Sequence, residues 1–417
     1  MIETTTNPGA SSDVTSALTA PNSILRLVRA SELRARSLMT GLEDVTAQRI
    51  NLGFVAVTYS GICRLGTSRG RAAVASTLRD VVTARRFAAW AFVWIALETA
   101  APAQQSFTDD AQRNVPLPGE ITRVFAAGAP AEVLLYTLVP DMLVGRNHAL
   151  SPAALELTPP EYRNPVAVTN LPERDDPRYD TELLALKPDV YVDYGTIDED
   201  YVGALEAISA RTHIPALILD GRLANIPAVY RRLGAALGVP ERGERLAVEA
   251  TRLLEKYRDA LRSPPVRVYL ACSQNGMTPC ISGHSFGEAA AWLGAVNTAG
   301  TVGTAPRRPL TLEEIRAFDP DVIVAASRGA AATLRADPAW QQLPAVAAGR
   351  VYAPPDVPFG WGPRPPSVNR LAGLIWMAYV LPGHTFDDAF FADIEAFFET
   401  FYHLKPSREQ LRSLVVE

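Results

Sequence analysis

A short phrase occurs twice in this chain of 417 residues. The first copy is Leu184-Ala185-Leu186-Lys187-Pro188-Asp189-Val190-Tyr191-Val192, and the second is Ile315-Arg316-Ala317-Phe318-Asp319-Pro320-Asp321-Val322-Ile323-Val324. Each reads as the last turns of a helix, a Pro-Asp break through which the helix cannot continue, and a short β-branched strand. Upstream, Arg123-Val124-Phe125-Ala126-Ala127 and Arg267-Val268-Tyr269-Leu270-Ala271 echo each other as first strands. The two offsets, about 144 and 132 residues, are similar enough to predict two lobes of one architecture rather than one continuous sheet. Two such lobes make a cleft, and clefts bind ligands.

The expected fold class is therefore α/β: two similar lobes of mainly parallel sheet flanked by helices, joined by one long spanning helix, with the ligand cleft between them. Residues 104–243 form the predicted N-terminal lobe. Its strands are expected near Val124–Ala126, Leu143–Gly145, Val190–Val192 and Ala216–Leu219, with helices near Ala131–Leu138, Ala204–Thr212 and Ile226–Leu237. Residues 244–263 are the linking element, because Leu246, Ala250, Leu253, Leu254, Tyr257 and Leu261 recur at helical spacing from Glu244 to Arg262. Roughly twenty residues rising about 1.5 Å each span about 30 Å, the width of a small domain. Pro264-Pro265 stops that helix, and residues 264–417 form the C-terminal lobe. A helix over Glu288–Ala295, another from about Asn369 to Val380 and an aromatic helical tail over Phe386–Tyr402 belong to it. A single rigid helix between lobes limits closure to a small tilt.

The net charge of −5 is unevenly spread, since residues 1–103 carry eleven arginines against seven acidic residues and the remainder stands near −9. A body that acidic lacks the basic stripe that displaces phosphate counterions, which argues against nucleic acid as a partner. Location is read from an internal segment, residues 81–103. Arg85-Arg86 precede the apolar run Phe87–Leu97, and Ala101-Pro102-Ala103 supplies the small residues of a cleavage site, so a secretory signal peptide fits better than a membrane helix. A buried core helix is the plainer alternative. Residues 1–80 show no sustained period and read as a leader produced by a mis-assigned start, with translation beginning near Leu78, Val81 or Val82; a disordered extension is the other reading. Cys63 falls in that leader. Cys272 and Cys280 fall in the exported body, where an oxidising periplasm allows a disulfide across a short loop.

Several groups in the chain bear on chemistry. Gly283-His284-Ser285-Phe286-Gly287-Glu288 matches the G-x-S-x-G nucleophile elbow, which would make the chain a serine acyltransferase or hydrolase using Ser285. The segment before it is broken by Gly276 and Pro279, where an elbow needs a buried strand. His384 and His403 stand in a loop and at a helix end, so a helix-capping turn is the better reading. His148, His213, His284, His384 and His403 have no i, i+3 or i, i+4 pair, which gives no protein metal site and no resident cofactor. A metal wrapped in an organic chelator asks instead for aromatic faces and arginine. Trp361 and Arg364 lie together on the Pro/Gly-stiffened run Val357–Arg370, at a strand end where open parallel sheets bind ligands. A structural loop whose Trp packs inward is the alternative. Gly128, Tyr194 and Gly195 stand at equivalent strand ends of the first lobe, and Ser273 follows the first strand of the second.

From about Thr122 to Val415 the chain resembles the helix-linked (class III) periplasmic substrate-binding proteins of ABC importers, in the iron-complex, siderophore and vitamin B12 group. The resemblance rests on the order of its segments: Arg123–Gly128, Leu186–Val190, Trp292–Asn297, Asp319–Val324, Asp337–Trp340, Ala345–Tyr352, Pro358–Trp361 and Pro365–Leu371. It implies a non-catalytic protein that captures a small-molecule metal complex, a ferric chelate, between its lobes and delivers it to an ABC permease and its ATPase. Cobalamin or an oxyanion such as molybdate or tungstate is the alternative ligand. The resemblance also implies one docking acid per lobe: Glu313, seven residues before Pro320, and Glu182, one step off the register held by Thr181.

Overall fold

The computed structural model describes residues 105–146, 149–163, 174, 176–280, 285–300 and 308–415. The leader, the signal segment, Cys63, His148, Gly283 and His284 lie outside the described residues. A hairpin of β1 (Gln105–Thr108) and β2 (Asn114–Leu117) precedes β3 (Val124–Ala126). Helices α1 (Ala129–Leu138), α2 (Pro152–Glu156), α3 (Pro160–Arg163) and α4 (Arg178–Ala185) lead to β4 (Val190–Gly195). α5 (Glu199–Thr212) leads to β5 (Ala216–Asp220), and α6 (Ile226–Ala236) and α7 (Pro240–Tyr257) follow. The second lobe runs β6 (Arg267–Ala271), α8 (Ser285–Trp292), β7 (Val296–Asn297), α9 (Leu312–Ala317), β8 (Val322–Ala325), α10 (Arg328–Ala336), α11 (Pro344–Ala347) and β9 (Val351–Tyr352). α12 (Arg370–Val380), α13 (Asp388–Phe401) and α14 (Arg408–Val415) complete it. The sheets have the orders β3-β4-β5 and β7-β6-β8-β9, with parallel pairing throughout.

The two sequence echoes prove to be halves of one unit. β3 pairs with β4 through Val124↔Val190, and β6 pairs with β8 through Val268↔Val322. In the first lobe Lys187 takes a left-handed conformation (φ 48°) and Asp189 Oδ2 accepts from the backbone N–H of Thr122 (2.8 Å) and Arg123 (2.9 Å). Arg123 in turn donates to the carbonyls of Leu186 (2.7 Å) and Lys187 (2.9 Å). The second lobe repeats this: Asp319 has φ 47°, Asp321 Oδ2 accepts from Arg267 N–H (2.8 Å), and Arg267 donates to the carbonyls of Phe318 and Asp319. Arg at the head of one strand thus satisfies carbonyls at the intervening helix end, while Asp at the head of its neighbour accepts from the backbone N–H groups that open the first strand.

Strand alternation divides the core. Val124, Ala126, Val190, Val192, Tyr194, Leu217 and Leu219 of the first sheet share one continuous cluster with Val268, Leu270, Val322 and Val324 of the second. The alternate residues, Phe125, Tyr191 and Ile218 on one side and Tyr269, Ile323 and Ala325 on the other, fill separate outer clusters under their own helices. One face of each sheet therefore joins a common core built on α1, α6, α7, α12 and α13. The lobes are two sheets on one body.

The spanning helix begins and ends earlier than its spacing predicts, over Pro240–Tyr257 rather than Glu244–Arg262. Pro240 suits the first turn, where its missing N–H costs nothing. Past Tyr257, Asp259 turns to φ 54°, and the N–H groups of Asp259 and Leu261 bond the carbonyls of Trp292 (2.9 Å) and Leu293 (2.7 Å), so the chain is drawn onto the second lobe. The strand expected at Leu143–Gly145 is reduced to a bridge between Leu143 and Val124. The hairpin β1–β2, absent from the sequence reading, packs its tip on β5. Asp110 N–H donates to Ile218 O (3.1 Å), Asp110 Oδ2 accepts from Asp220 N–H (2.8 Å), and Arg113 donates to Ala216 O (2.9 Å).

Candidate functional site

The expected first-lobe contacts stand together at the carboxyl ends of their strands. Gly128 caps α1 directly after β3, and Tyr194 and Gly195 end β4. The Gly195 backbone lies against Gly221, just past β5, so closely that a Cβ on Gly221 would come within 2.9 Å of the Gly195 Cα. Tyr194 is buried, and its hydroxyl lies beside the Arg370 guanidinium. Burial pushes its phenol up to about 12, so it is a neutral hydroxyl at any physiological pH.

In the second lobe Ser273 and Arg364 line one cavity of about 180 Å³ together with Cys272, Thr278, Pro279, Ala326 and Pro363. Cys272 follows β6 and Ala326 follows β8, so this cavity too lies at carboxyl strand ends. Cys272 and Cys280 are joined as a disulfide, Cα–Cα 5.4 Å, which closes the loop carrying Ser273. Within that loop the Ser273 hydroxyl donates to Asn275 Oδ1 (2.7 Å) and accepts from Thr278 N–H (2.9 Å). Ser273 thus shapes the cavity wall first, with one oxygen lone pair left over. Arg364 is exposed on a turn organised by Asn369, whose side-chain amide donates to the carbonyls of Gly360 and Pro365.

Trp361 does not join Arg364 at the rim. Its ring is 1% exposed and lies edge-on to Phe398, with centroids 6.2 Å apart. The reason is the approach of the loop to α12: a Cβ on Gly373 would sit 1.9 Å from Trp361 O, so the missing side chain lets the Trp361 backbone seat against the helix and turns the indole inward. The structure brings Gly128 and Gly195 to the strand ends of one lobe and Ser273 and Arg364 to those of the other, and leaves the side chains of both Trp361 and Tyr194, each 1% exposed, in the core. A larger cavity of about 380 Å³, lined by Arg335, Tyr352, Trp376, His384 and Phe386 among others, includes none of these residues.

Ser285 opens α8, and its carbonyl accepts from Arg370 (3.3 Å). Among the described residues neither His384, whose ring faces Tyr379, nor His403, held between Tyr136 O and Arg242, is bonded to Ser285. Among the described residues no group of three His, Cys, Asp or Glu side chains is placed to hold a metal ion. Glu182 on α4 and Glu313 on α9 are both exposed. The Pro-Asp register aligns Glu182 with Glu314 instead, which is committed to a capping box with Thr311 and an ion pair with Arg308 (2.9 Å).

Two arginines at these strand ends carry no signal in the sequence. Arg174 donates to Ala127 O and Asp193 Oδ2, both at 3.1 Å, placing a second arginine at the end of β3. Arg370 sits 2% exposed where the two lobes meet. Neither had a local spacing signal, because each partner is distant in sequence.

Residues 128–358, more than half of the chain, match the family model described as periplasmic binding protein. No curated protein matches the chain at the sequence level. Among solved structures it is similar to an ABC transporter solute binding protein from Sulfurospirillum deleyianum, 25% identical, with 74% of this chain and 98% of that one covered and a TM-score of 0.65. It is also similar in fold to a periplasmic solute binding protein from Veillonella parvula (21% identical, 75% and 96% covered, TM-score 0.59). A third likeness is to the molybdate periplasmic binding protein MolA of Haemophilus influenzae (19% identical, 73% and 99% covered, TM-score 0.59). No helix among the described residues is long and apolar enough to cross a membrane. With two parallel-sheet lobes spanned by α7 and a matched segment running through both, the chain belongs to the periplasmic binding protein family, the solute-binding components of ABC transporters, and a periplasmic location goes with that membership.

Proposed function

We propose that this protein captures a ferric chelate between its lobes and presents it to an ABC permease and its ATPase, without catalysing a reaction. The observation that carries the reading is the cavity at the second lobe's strand ends, where the exposed Arg364 stands over Ser273 and Thr278. A guanidinium fork there suits a carboxylate or other anionic arm of a chelate. At about 180 Å³ the cavity takes one arm of such a complex. The Trp361 indole, being buried, supplies no stacking face, so the contact is carried by charge. The same cavity size favours a second reading, a small oxyanion of the molybdate or tungstate type held by Arg364 and backbone N–H groups. Cobalamin is the third candidate. Glu313 and Glu182 are proposed to meet the permease, and Glu313 has no bond or ion pair among the described residues.

Titration of the purified protein with ferric citrate, a ferric hydroxamate, molybdate and cobalamin, followed by melting temperature, separates these. The expected result is a shift with a ferric chelate that Arg364→Ala weakens about tenfold or more, the loss of one charge-assisted contact. A shift with molybdate alone would replace the chelate by the oxyanion. Stoichiometric labelling of Ser285 by a serine-reactive phosphonate would overturn the transport reading altogether.

A further inference from the structure

The segment that looks like a serine elbow supplies a different device. Glu288, in the first turn of α8, and Arg370, at the start of α12, form an ion pair that belongs entirely to the second lobe. Both partners also reach the first lobe, and both take hold of its main chain. Arg370 Nη2 donates to Gly221 O, while Glu288 Oε2 accepts from Leu223 N–H (3.2 Å). Two other guanidinium N–H groups are used at home, on Ser367 O (3.0 Å) and Ser285 O (3.3 Å). Beside them Ser367 Oγ donates to Pro130 O (2.6 Å), just inside α1. Three backbone groups of the first lobe, at the carboxyl ends of β3 and β5, are therefore pinned by side chains of the second.

Contacts to main chain carry a geometric consequence that side-chain contacts lack. A side chain can swing to follow its partner, but Gly221 is seated against Gly195 of the neighbouring strand and moves only with its sheet. The guanidinium fork is rigid and planar, so it holds the Gly221 carbonyl at a set direction as well as distance. Parting the lobes would exchange a charge-assisted bond of a nearly buried arginine for water while its own ion pair stays closed. The bonds fall at the carboxyl ends of β3 and β5, beside Gly128 and the Gly195–Gly221 contact, so they bound the space open to a ligand.

We infer that Glu288 and Arg370 are positioning residues that hold the lobes of the free protein at one separation, and so set the size of ligand the cleft admits. Only the ligand-size clause rests on the binding reading above; the fixed separation does not. The test measures the ligand-free protein. Spin labels at Leu184→Cys and Val296→Cys, exposed positions on separate lobes (45% and 46%), report the distance between them in a Cys63→Ser background with the native disulfide intact. The unsubstituted pair should give one narrow distance distribution. Glu288→Gln, which keeps an acceptor for Leu223 N–H but loses the ion pair, and Arg370→Lys, which keeps the charge but loses the fork, should each add a second population at a different distance. An unchanged distribution in both variants, with only a lowered melting temperature, would reduce the pair to ordinary stability and overturn the inference. A broad distribution in the unsubstituted protein would overturn it as well. No ligand enters the measurement, so its outcome is independent of whether the cargo is a ferric chelate.

Discussion

Asp393 is the residue through which α13 grips the end of the spanning helix, and replacing it by asparagine should cost a calculable amount. Its carboxylate is nearly buried and accepts from Arg252 Nη1 (3.0 Å), Lys256 Nζ (2.5 Å) and the Tyr257 hydroxyl, all from the last turns of α7. Burial would raise its pKa, but the hydrogen bonds from Lys256 and Tyr257 and the Lys256 charge outweigh that and hold the carboxyl below its ordinary range. A hydrogen bond to a charged group contributes about 1.5–3 kcal/mol, and neutralising the acceptor removes roughly half of each. Three such bonds would sum to about 3 kcal/mol, but Arg252 and Lys256 are 41% and 42% exposed, and screening brings the expected loss for Asp393→Asn to about 2 kcal/mol. The sign of the pH dependence follows from the depressed folded pKa. The contribution is fully present above the ordinary aspartate value and is lost as pH falls through the depressed one. Chemical denaturation at a series of pH values should show the variant's midpoint lowered at neutral pH with an unchanged m-value, and the two proteins converging in acid. A neutral-pH difference under about 0.5 kcal/mol, or one that persists unchanged into acid, would refute the reasoning.

Two further outcomes follow from sites elsewhere. The Cys272–Cys280 disulfide closes a loop with a sequence separation of 8. Replacing both cysteines by serine should cost about 2.5 kcal/mol by loop entropy, read as a lower denaturation midpoint, with Arg364-dependent ligand affinity reduced because the cavity wall loosens. Burial, and then the adjacent Arg242, keep the His403 imidazole below its usual pKa in a pocket with Tyr136 and Tyr162. Stability should therefore fall as pH drops through the ordinary histidine range, and His403→Gln should flatten that fall in melting curves taken from about pH 8 to about pH 5.

What the residues disclosed in advance was whatever repeats or has a period. The Pro-Asp phrase and its Arg-headed partner strand were legible because each lobe repeats the same short-range solution to a helix end, and the spanning helix was legible through its apolar spacing. Its ends were not, since Pro240 reads equally well as a stop, and the exit at Asp259 is set by carbonyls of Trp292 and Leu293. The inward turn of Trp361 depends on Gly373, which no inspection of the loop alone connects to it. The Glu288–Arg370 pair lies inside two motifs whose local pattern points elsewhere, to a serine turn and a Pro/Gly-stiffened loop. Its meaning depends on Gly221 and Leu223, which contribute only main-chain atoms and so leave no mark in the residue types.

The hairpin that precedes the first lobe has an effect on how copies of this protein meet one another. β5 is an edge strand, and its outward-facing groups at residues 216, 218 and 220 are taken up by Arg113, Asp109 and Asp110. A strand edge left open is a template for pairing with a second chain. Here the template is already occupied by carboxylates and an arginine from the same molecule. Residues 105–117 thus leave the edge groups at 216, 218 and 220 no free partner to offer a second chain.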